Sequence, residues 1–181
     1  MKAISLAIET LGTGADAVVA AIGAVVVTPD GTGEEYYQAL NLQEQLDKGR
    51  TVAESKLRFW FDQDRAVRVA TFPKTTMWTC SAMALLRIFI DRADMPSVYC
   101  MGPQFDGATL QSLCDTFSIE CPVHSSAWRD NCTIEDVLKR AGFEVDLLMV
   151  KHAHWAVRNH ALANAKRLGE VIRLAMTRRL A

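Results

Sequence analysis

Three apolar segments open the chain, and their pattern constrains the fold more than any other feature. Residues 2–8, 17–27 and 35–42 are rich in apolar, β-branched and aromatic side chains, which favour strands. The intervening sequence TPDGTG, residues 28–33, is a strong turn signal. Because short loops join these segments, we predict an antiparallel three-stranded meander at the start of the domain.

Beyond residue 50 the apolar spacing becomes helical. The spacing predicts a short strand at 97–101 and helices at 52–58, 60–70, 81–93, 106–117, 131–141 and 159–178. Strands followed by helices that alternate with further strands indicate an α/β fold, with a mixed central sheet flanked by helices. No repeat, low-complexity tract or linker divides the sequence, so we expect one domain over residues 1–181.

The composition is that of a soluble globular protein, with 50% hydrophobic and 23% charged residues. No apolar run approaches the roughly 20 residues that a membrane span needs, and no cationic start precedes a clean apolar run. We therefore expect a cytoplasmic location. The five cysteines include no C-x-x-C pair, which argues against both a disulfide framework and a zinc ribbon.

The net charge of −1 hides an uneven distribution. Residues 151–181 contain seven Lys or Arg and one acid, a local charge of +6, which leaves −7 for residues 1–150. Two interpretations stay open: the basic segment contacts a phosphate backbone, or it forms the solvated face of a helix.

Four short motifs occur in order along the chain. They are IETLGT at 8–13, FWFDQDRAVR at 59–68, GPQFD at 102–106 and WRDNCT at 128–133. Their order and spacing resemble the DEDDh 3'-5' exonuclease superfamily, and most of all its phage and bacterial exoribonuclease-like branch, which includes DexA and exonuclease VIII-like domains. The resemblance covers essentially the whole chain and implies a ribonuclease H-like fold.

The resemblance also implies a chemistry, two-metal phosphodiester hydrolysis supported by four carboxylates and a histidine. It assigns Glu9 and Asp106 as ligands of Mg²⁺ or Mn²⁺ in an active protein. Two expected acids are missing, since Ala7 and Asn164 stand at the other ligand positions. Alanine offers no ligand and asparagine only a neutral oxygen, so we expect weakened or absent hydrolysis and a site that binds metal poorly or not at all.

The last family motif, His-x-Ala-x-x-Asp-Ala, can be placed in more than one way. An ungapped alignment puts Asn159 at the histidine position, a slip of one residue makes His160 the catalytic histidine, and a rival alignment starts at His154. Each alignment ends in asparagine instead of aspartate. Thr10, Leu11 and Arg158 are candidates for nucleic-acid contact, and Trp155 beside the basic helix is a candidate for base stacking.

Structural roles compete with several of these assignments. Glu9 suits a solvated strand end, Asp106 and Asn159 suit helix N-caps, and Asp130 suits a structural hydrogen-bonding role. The aromatic pair 60–61 fits the core better than a base-stacking surface.

Two functional hypotheses follow. The first is an exonuclease-family protein that acts on or binds RNA or single-stranded DNA, with weakened or lost hydrolysis. The second is a catalytically dead pseudo-exonuclease of phage origin, which inhibits a host system in the host cytoplasm by binding nucleic acid or a host protein. A homodimer is compatible with both, and Ala7 and Asn164 are compatible with natural divergence or with an engineered change.

Overall fold

A five-stranded mixed sheet forms the centre of the computed structural model, which describes residues 2–94, 97–145 and 160–178. Its strands are β1 Ala3–Thr10, β2 Val19–Thr28, β3 Gly31–Ala39, β4 Ser97–Cys100 and β5 Trp128–Asp130, in the order β3-β2-β1-β4-β5. The first three strands pair antiparallel, whereas β4 pairs parallel with both β1 and β5. The predicted meander and mixed sheet are therefore confirmed.

Seven helices accompany the sheet in the described part of the chain, together with a 3-10 turn at Ser125–Ala127. They are α1 Leu42–Asp47, α2 Glu54–Phe61, α3 Arg65–Thr71, α4 Thr79–Arg92, α5 Asp106–Thr116, α6 Asn131–Arg140 and α7 Ala161–Thr177. None of these helices is long and apolar enough to cross a membrane. The five cysteines are all free thiols, as predicted.

The third strand differs from its predicted position, because the turn before it is tighter than its composition suggests. Gly31 begins β3 directly after the turn with a φ of 154°, and the Thr28 hydroxyl donates a 3.1 Å hydrogen bond to its carbonyl. The strand then ends early because Asn41 caps α1 by accepting a 3.2 Å hydrogen bond from the Glu44 amide. The predicted strand end over 40–42 was therefore wrong.

The two faces of β1 serve different parts of the fold. Ile4 and Leu6 belong to the large core that packs under α4 and α5. Ala3 and Ala7 point to the opposite face, where they pack against α7. Because side chains alternate along a strand, Glu9 shares the face of Ala7 and projects toward the same helix.

The close approach of α7 to this face depends on a glycine in β2. Gly23 pairs with Ala7 of β1, and α7 begins directly above it. A Cβ atom at Gly23 would lie 2.2 Å from the Leu162 nitrogen and 2.3 Å from the Ala161 carbonyl carbon. Only a residue without a side chain therefore allows the first turn of α7 to rest on the sheet.

We predict that Gly23→Ala destabilises the protein by about 2–3 kcal/mol, because the new methyl group must push a helix backbone away from the sheet. The measurement is the free energy of unfolding from urea titrations followed by tryptophan fluorescence.

The matched control is Gly33→Ala on β3, where the nearest atom to a new Cβ is Val26 Cβ at 3.8 Å. This control should keep the wild-type free energy of unfolding to within about 0.5 kcal/mol. Equal effects at the two glycines would show that the contact with α7 is not the cause.

Candidate active site

The residues that the sequence marked at opposite ends of the chain meet where β1 ends. The Asn164 side-chain amide donates a 2.7 Å hydrogen bond to Glu9 Oε1 across 155 residues of sequence. Asn164 can reach Glu9 because it lies in the first turn of α7, just beyond the helix start that rests on Gly23. The first and last motifs therefore form one site, in which one carboxylate oxygen of Glu9 accepts a hydrogen bond from Asn164.

Ala7 lies two residues before Glu9 and on the same face of β1. Its side chain is only 7% exposed and packs in an apolar cluster with Ala165, Ile172 and Met176 of α7. The position that resemblance assigns to a metal-binding aspartate is thus part of the interface between the sheet and the last helix. The methyl side chain of Ala7 offers no polar atom to hold a cation.

Asp106 is the second acid of the site and the first residue of α5. Phe105, not Asp106, occupies the N-cap position of this helix. Burial raises the pKa of Asp106 to about 6, while hydrogen bonds from the backbone of Gly102, the thiol of Cys100 and the backbone of Met101 oppose the rise. The carboxylate is therefore already bound by the turn that joins β4 to α5.

Glu9 is a buried carboxylate with charged neighbours of both signs. Burial raises its pKa to about 7; the negative charge of Asp106 adds to this rise. The hydrogen bond from Asn164 and the positive charges of Lys56 and Arg167 act in the opposite direction. The two acids are thus close enough to interact, and two cations from α2 and α7 lie within electrostatic range of Glu9.

His160 stands next to the site but contacts a different strand. It is the N-cap residue of α7, and its ring stacks on Tyr37 of β3 with 4.3 Å between ring centroids. Burial, followed by the positive charge of Lys166, lowers the pKa of His160. Its assignment as the catalytic histidine stays a prediction.

The loop after β1 is held by hydrogen bonds to its backbone. Trp60 Nε1 donates to the Thr10 carbonyl at 3.0 Å, and the Ala53 amide donates to the Leu11 carbonyl at 2.8 Å. The Thr10 hydroxyl is bonded to the Gly12 carbonyl at 2.9 Å, and Leu11 packs in the cluster around Trp60. Both predicted contact residues are buried, so their described side chains support the loop.

Three other expectations have clear outcomes. Asp130 caps α6 by accepting hydrogen bonds from the Cys132 amide and the Thr133 hydroxyl, which is the structural role expected for it. Trp60 is buried as predicted. Phe61 is 72% exposed at the end of α2, so its assignment to the core was wrong. Trp60 and Phe61 are consecutive residues of α2, so they do not share a helix face, and only Trp60 faces the core.

The remaining candidates cannot be placed. Trp155 and Arg158, together with His154 and Asn159 of the alternative alignments, lie outside the described residues.

The described residues do not fit a two-metal centre. No group of three or more His, Cys, Asp or Glu side chains that could hold a cation occurs within residues 2–94, 97–145 and 160–178. Ala7 supplies no oxygen, and Asn164 directs its NH₂ group at Glu9, whereas a metal would require an oxygen ligand. The acids that remain are bonded to protein donors instead.

Lys56, Arg167 and Tyr37 are site residues that reading the sequence did not identify. Lys56 and Arg167 look like ordinary surface cations of amphipathic helices, and Tyr37 looks like a strand residue. Only the packing of α2, α7 and β3 around the end of β1 places their charges and rings near Glu9.

Comparison with known proteins agrees with this architecture. The nuclease domain of 3'hExo, a DEDDh family member bound to rAMP, has a TM-score of 0.67 and 6% identity, covering 98% of this chain and 92% of that chain. Cell-death related nuclease 4, CRN-4, has a TM-score of 0.66 and 11% identity, covering 98% and 64%. Identities this low show the fold, which is ribonuclease H-like as predicted.

At the level of sequence, no curated protein matches the chain. A family model does match: that of the Rv2179c-like 3'-5' exoribonuclease domain, over residues 2–175. The DexA and exonuclease VIII-like branch stays a prediction. The chain therefore belongs to the Rv2179c-like 3'-5' exoribonuclease domain family.

Proposed function

We propose that this protein binds single-stranded RNA or DNA through the cleft of a 3'-5' exonuclease and has lost two-metal hydrolysis. The observation that carries the proposal is the hydrogen bond between Asn164 and Glu9. At the position where the family resemblance predicts a metal-binding aspartate, Asn164 has an amide that donates a hydrogen bond to Glu9. Together with Ala7 in an apolar cluster, it leaves Glu9 and Asp106 as the acids of the described site.

Several features support binding without cleavage. Lys56 and Arg167 lie within electrostatic range of Glu9, where they can attract a phosphate group. Among the residues that the structure describes, the buried Arg167 Nε atom has no hydrogen-bond partner, which favours a ligand acceptor near it. The phage origin, the host-protein partner, the homodimer and the cytoplasmic location stay predictions from sequence.

The first prediction concerns hydrolysis. We expect the protein as written to release no mononucleotides from a labelled RNA octamer with Mg²⁺ or Mn²⁺. The double variant Ala7→Asp with Asn164→Asp should recover measurable release, because it restores two carboxylates beside Glu9 and Asp106. Saturating Mn²⁺ should also stabilise this variant by about 1–3 kcal/mol in thermal unfolding, a readout that does not depend on activity.

The control is Ala7→Asn in the wild-type background, which adds a side chain of similar size without charge. It should gain neither hydrolysis nor stabilisation by Mn²⁺. Robust metal-dependent exonuclease activity of the unaltered chain would refute the proposed loss of hydrolysis.

The second prediction concerns binding. Affinity for a single-stranded RNA octamer should fall with salt, which gives a negative slope of log K against log salt. Lys56→Gln or Arg167→Gln should each make this slope less negative by about 0.7. Fluorescence anisotropy of the labelled octamer measures both quantities.

Arg140, which is exposed at the far end of α6, provides the matched control. Arg140→Gln should leave the slope unchanged. Binding that is equal at low and high salt would exclude a contact dominated by phosphate groups.

The third prediction follows from the charge state of Glu9. Its pKa is about 7 in the folded protein against an ordinary value of 4.5, so folding favours the protonated form. This preference contributes fully to the free energy of unfolding below pH 4.5, and the contribution is lost as the pH rises to about 7. The wild type should lose about 3 kcal/mol of unfolding free energy over this window, at about 1.4 kcal/mol per pKa unit, and Glu9→Gln should abolish this loss.

Urea unfolding at a series of pH values measures this effect. Glu34→Gln, at an exposed position of β3, is the control and should keep the wild-type pH dependence. If Glu9→Gln kept the wild-type pH dependence as well, Glu9 would not be the group that loses stability.

A further inference from the structure

Trp78 is an unusual surface residue, because its large apolar side chain is 62% exposed at the start of α4. Exposed tryptophan on a mobile loop can fold back onto apolar surface. Here the backbone on both sides is fixed, so the exposure of the indole is a stable property of the fold.

Two sets of hydrogen bonds hold this backbone. Before Trp78, the Met77 amide donates to the Ala39 carbonyl at 2.9 Å, and the Met77 carbonyl accepts from the Asn41 amide at 2.8 Å. After it, Glu44 Oε1 accepts from the Thr79 amide at 2.5 Å and from the Thr79 hydroxyl at 2.6 Å. Trp78 is therefore anchored between the end of β3 and a helix start that Glu44 caps.

The indole borders an open cavity of about 380 Å³ at the β3 edge of the sheet. This volume lies in the range of small-ligand pockets. The cavity combines two aromatic residues with hydroxyl and amide groups. Its lining includes Tyr37, Gln38, Thr75, Thr76, Trp78 and Ser81. An apolar planar ligand with hydrogen-bonding edges suits such a lining.

Two residues that line the cavity, Tyr37 and Ala39, point to the face of the sheet that carries the candidate active site. Glu9 pairs with Ala21 of β2, and Ala21 pairs with Ala39 of β3, which lines the cavity. Paired residues point to the same face, and two strand spacings amount to roughly 10 Å. Tyr37 joins the two places, because its ring lines the cavity and stacks on His160.

We propose that this cavity is a subsite for one unpaired nucleobase, which stacks on Trp78 while its polar edge meets the hydroxyl groups of Thr75, Thr76 and Ser81. Every base has a π-face, so such a platform binds without strict sequence preference. Lys74 is exposed in the same loop and provides a cation for the adjoining phosphate. The subsite rests on the proposed function, and it deepens that function by specifying where the single strand runs beyond Glu9.

The test measures binding of a fluorescein-labelled RNA octamer by anisotropy to wild type and to three variants. Trp78→Ala should weaken binding roughly tenfold, because loss of one stacked base costs about 1–3 kcal/mol. Trp78→Phe should restore most of the affinity, since it restores an aromatic face. Ile88→Ala, an exposed apolar position further along α4, is the matched control and should bind like wild type.

Abasic substitution identifies the stacked base. One abasic position in the octamer should weaken binding to wild type while leaving binding to Trp78→Ala unchanged. If no position behaves in this way, or if Trp78→Phe binds as weakly as Trp78→Ala, stacking on Trp78 is refuted. Circular dichroism melting verifies that each variant is folded.

A second measurement separates this proposal from the proposed function. Adenosine, which has a base but no phosphate, should quench the fluorescence of wild type and not that of Trp78→Ala. If wild type binds the octamer and Trp78→Ala binds it equally well, the subsite is wrong and the proposed function stands. If wild type fails to bind the octamer but adenosine quenches Trp78, the proposed function is wrong and the subsite stands. Sedimentation of wild type and Trp78→Ala tests a different role for Trp78. If the variant sediments differently from wild type but binds RNA equally well, Trp78 belongs to a protein interface and the subsite is wrong.

Discussion

The close contact between α7 and the sheet is the interaction on which the rest of the site depends. Gly23 and Ala7 offer almost no side-chain volume, so the first turn of the helix rests directly on β1 and β2. This contact brings Asn164 to Glu9. The same small residues that allow the close packing leave no acid in the position next to Glu9. Ala7 therefore serves the packing of α7 at the position where the resemblance predicts a metal-binding aspartate.

Electrostatics explain how two carboxylates remain in this buried place. Burial already raises the pKa of Glu9 and of Asp106, and each additional unpaired acid would raise them further by like-charge repulsion. Asn164 donates a hydrogen bond without adding charge, and nearby cations act in the same direction. An asparagine at this position thus avoids the like-charge repulsion that a third buried carboxylate would add.

The basic C-terminal segment has a more local role than its charge of +6 suggests. Within the described part of α7, Lys166 pairs with Glu35 of β3 at 2.7 Å and Arg173 pairs with Glu170 at 2.7 Å. Arg178 lies over the ring of Phe143. These cations secure the helix to its surroundings, and Arg167 remains as the cation of this helix that acts on Glu9. Within the described part of this segment, charge counted along the sequence therefore overstates the surface available to a phosphate backbone.

The sequence by itself determined the meander and the mixed sheet, because strand alternation is a local property. It grouped Glu9, Asp106, Ala7 and Asn164 only through resemblance to a family. It could not show that α1 follows β3 so early, that Phe61 is exposed, or that Lys56 and Tyr37 approach the site. Those facts depend on contacts between segments far apart in the chain. Tertiary structure alone decided that Asn164 donates to Glu9 and that Trp78 is anchored beside an open cavity, since hydrogen-bond direction and solvent exposure arise only when the helices pack on the sheet.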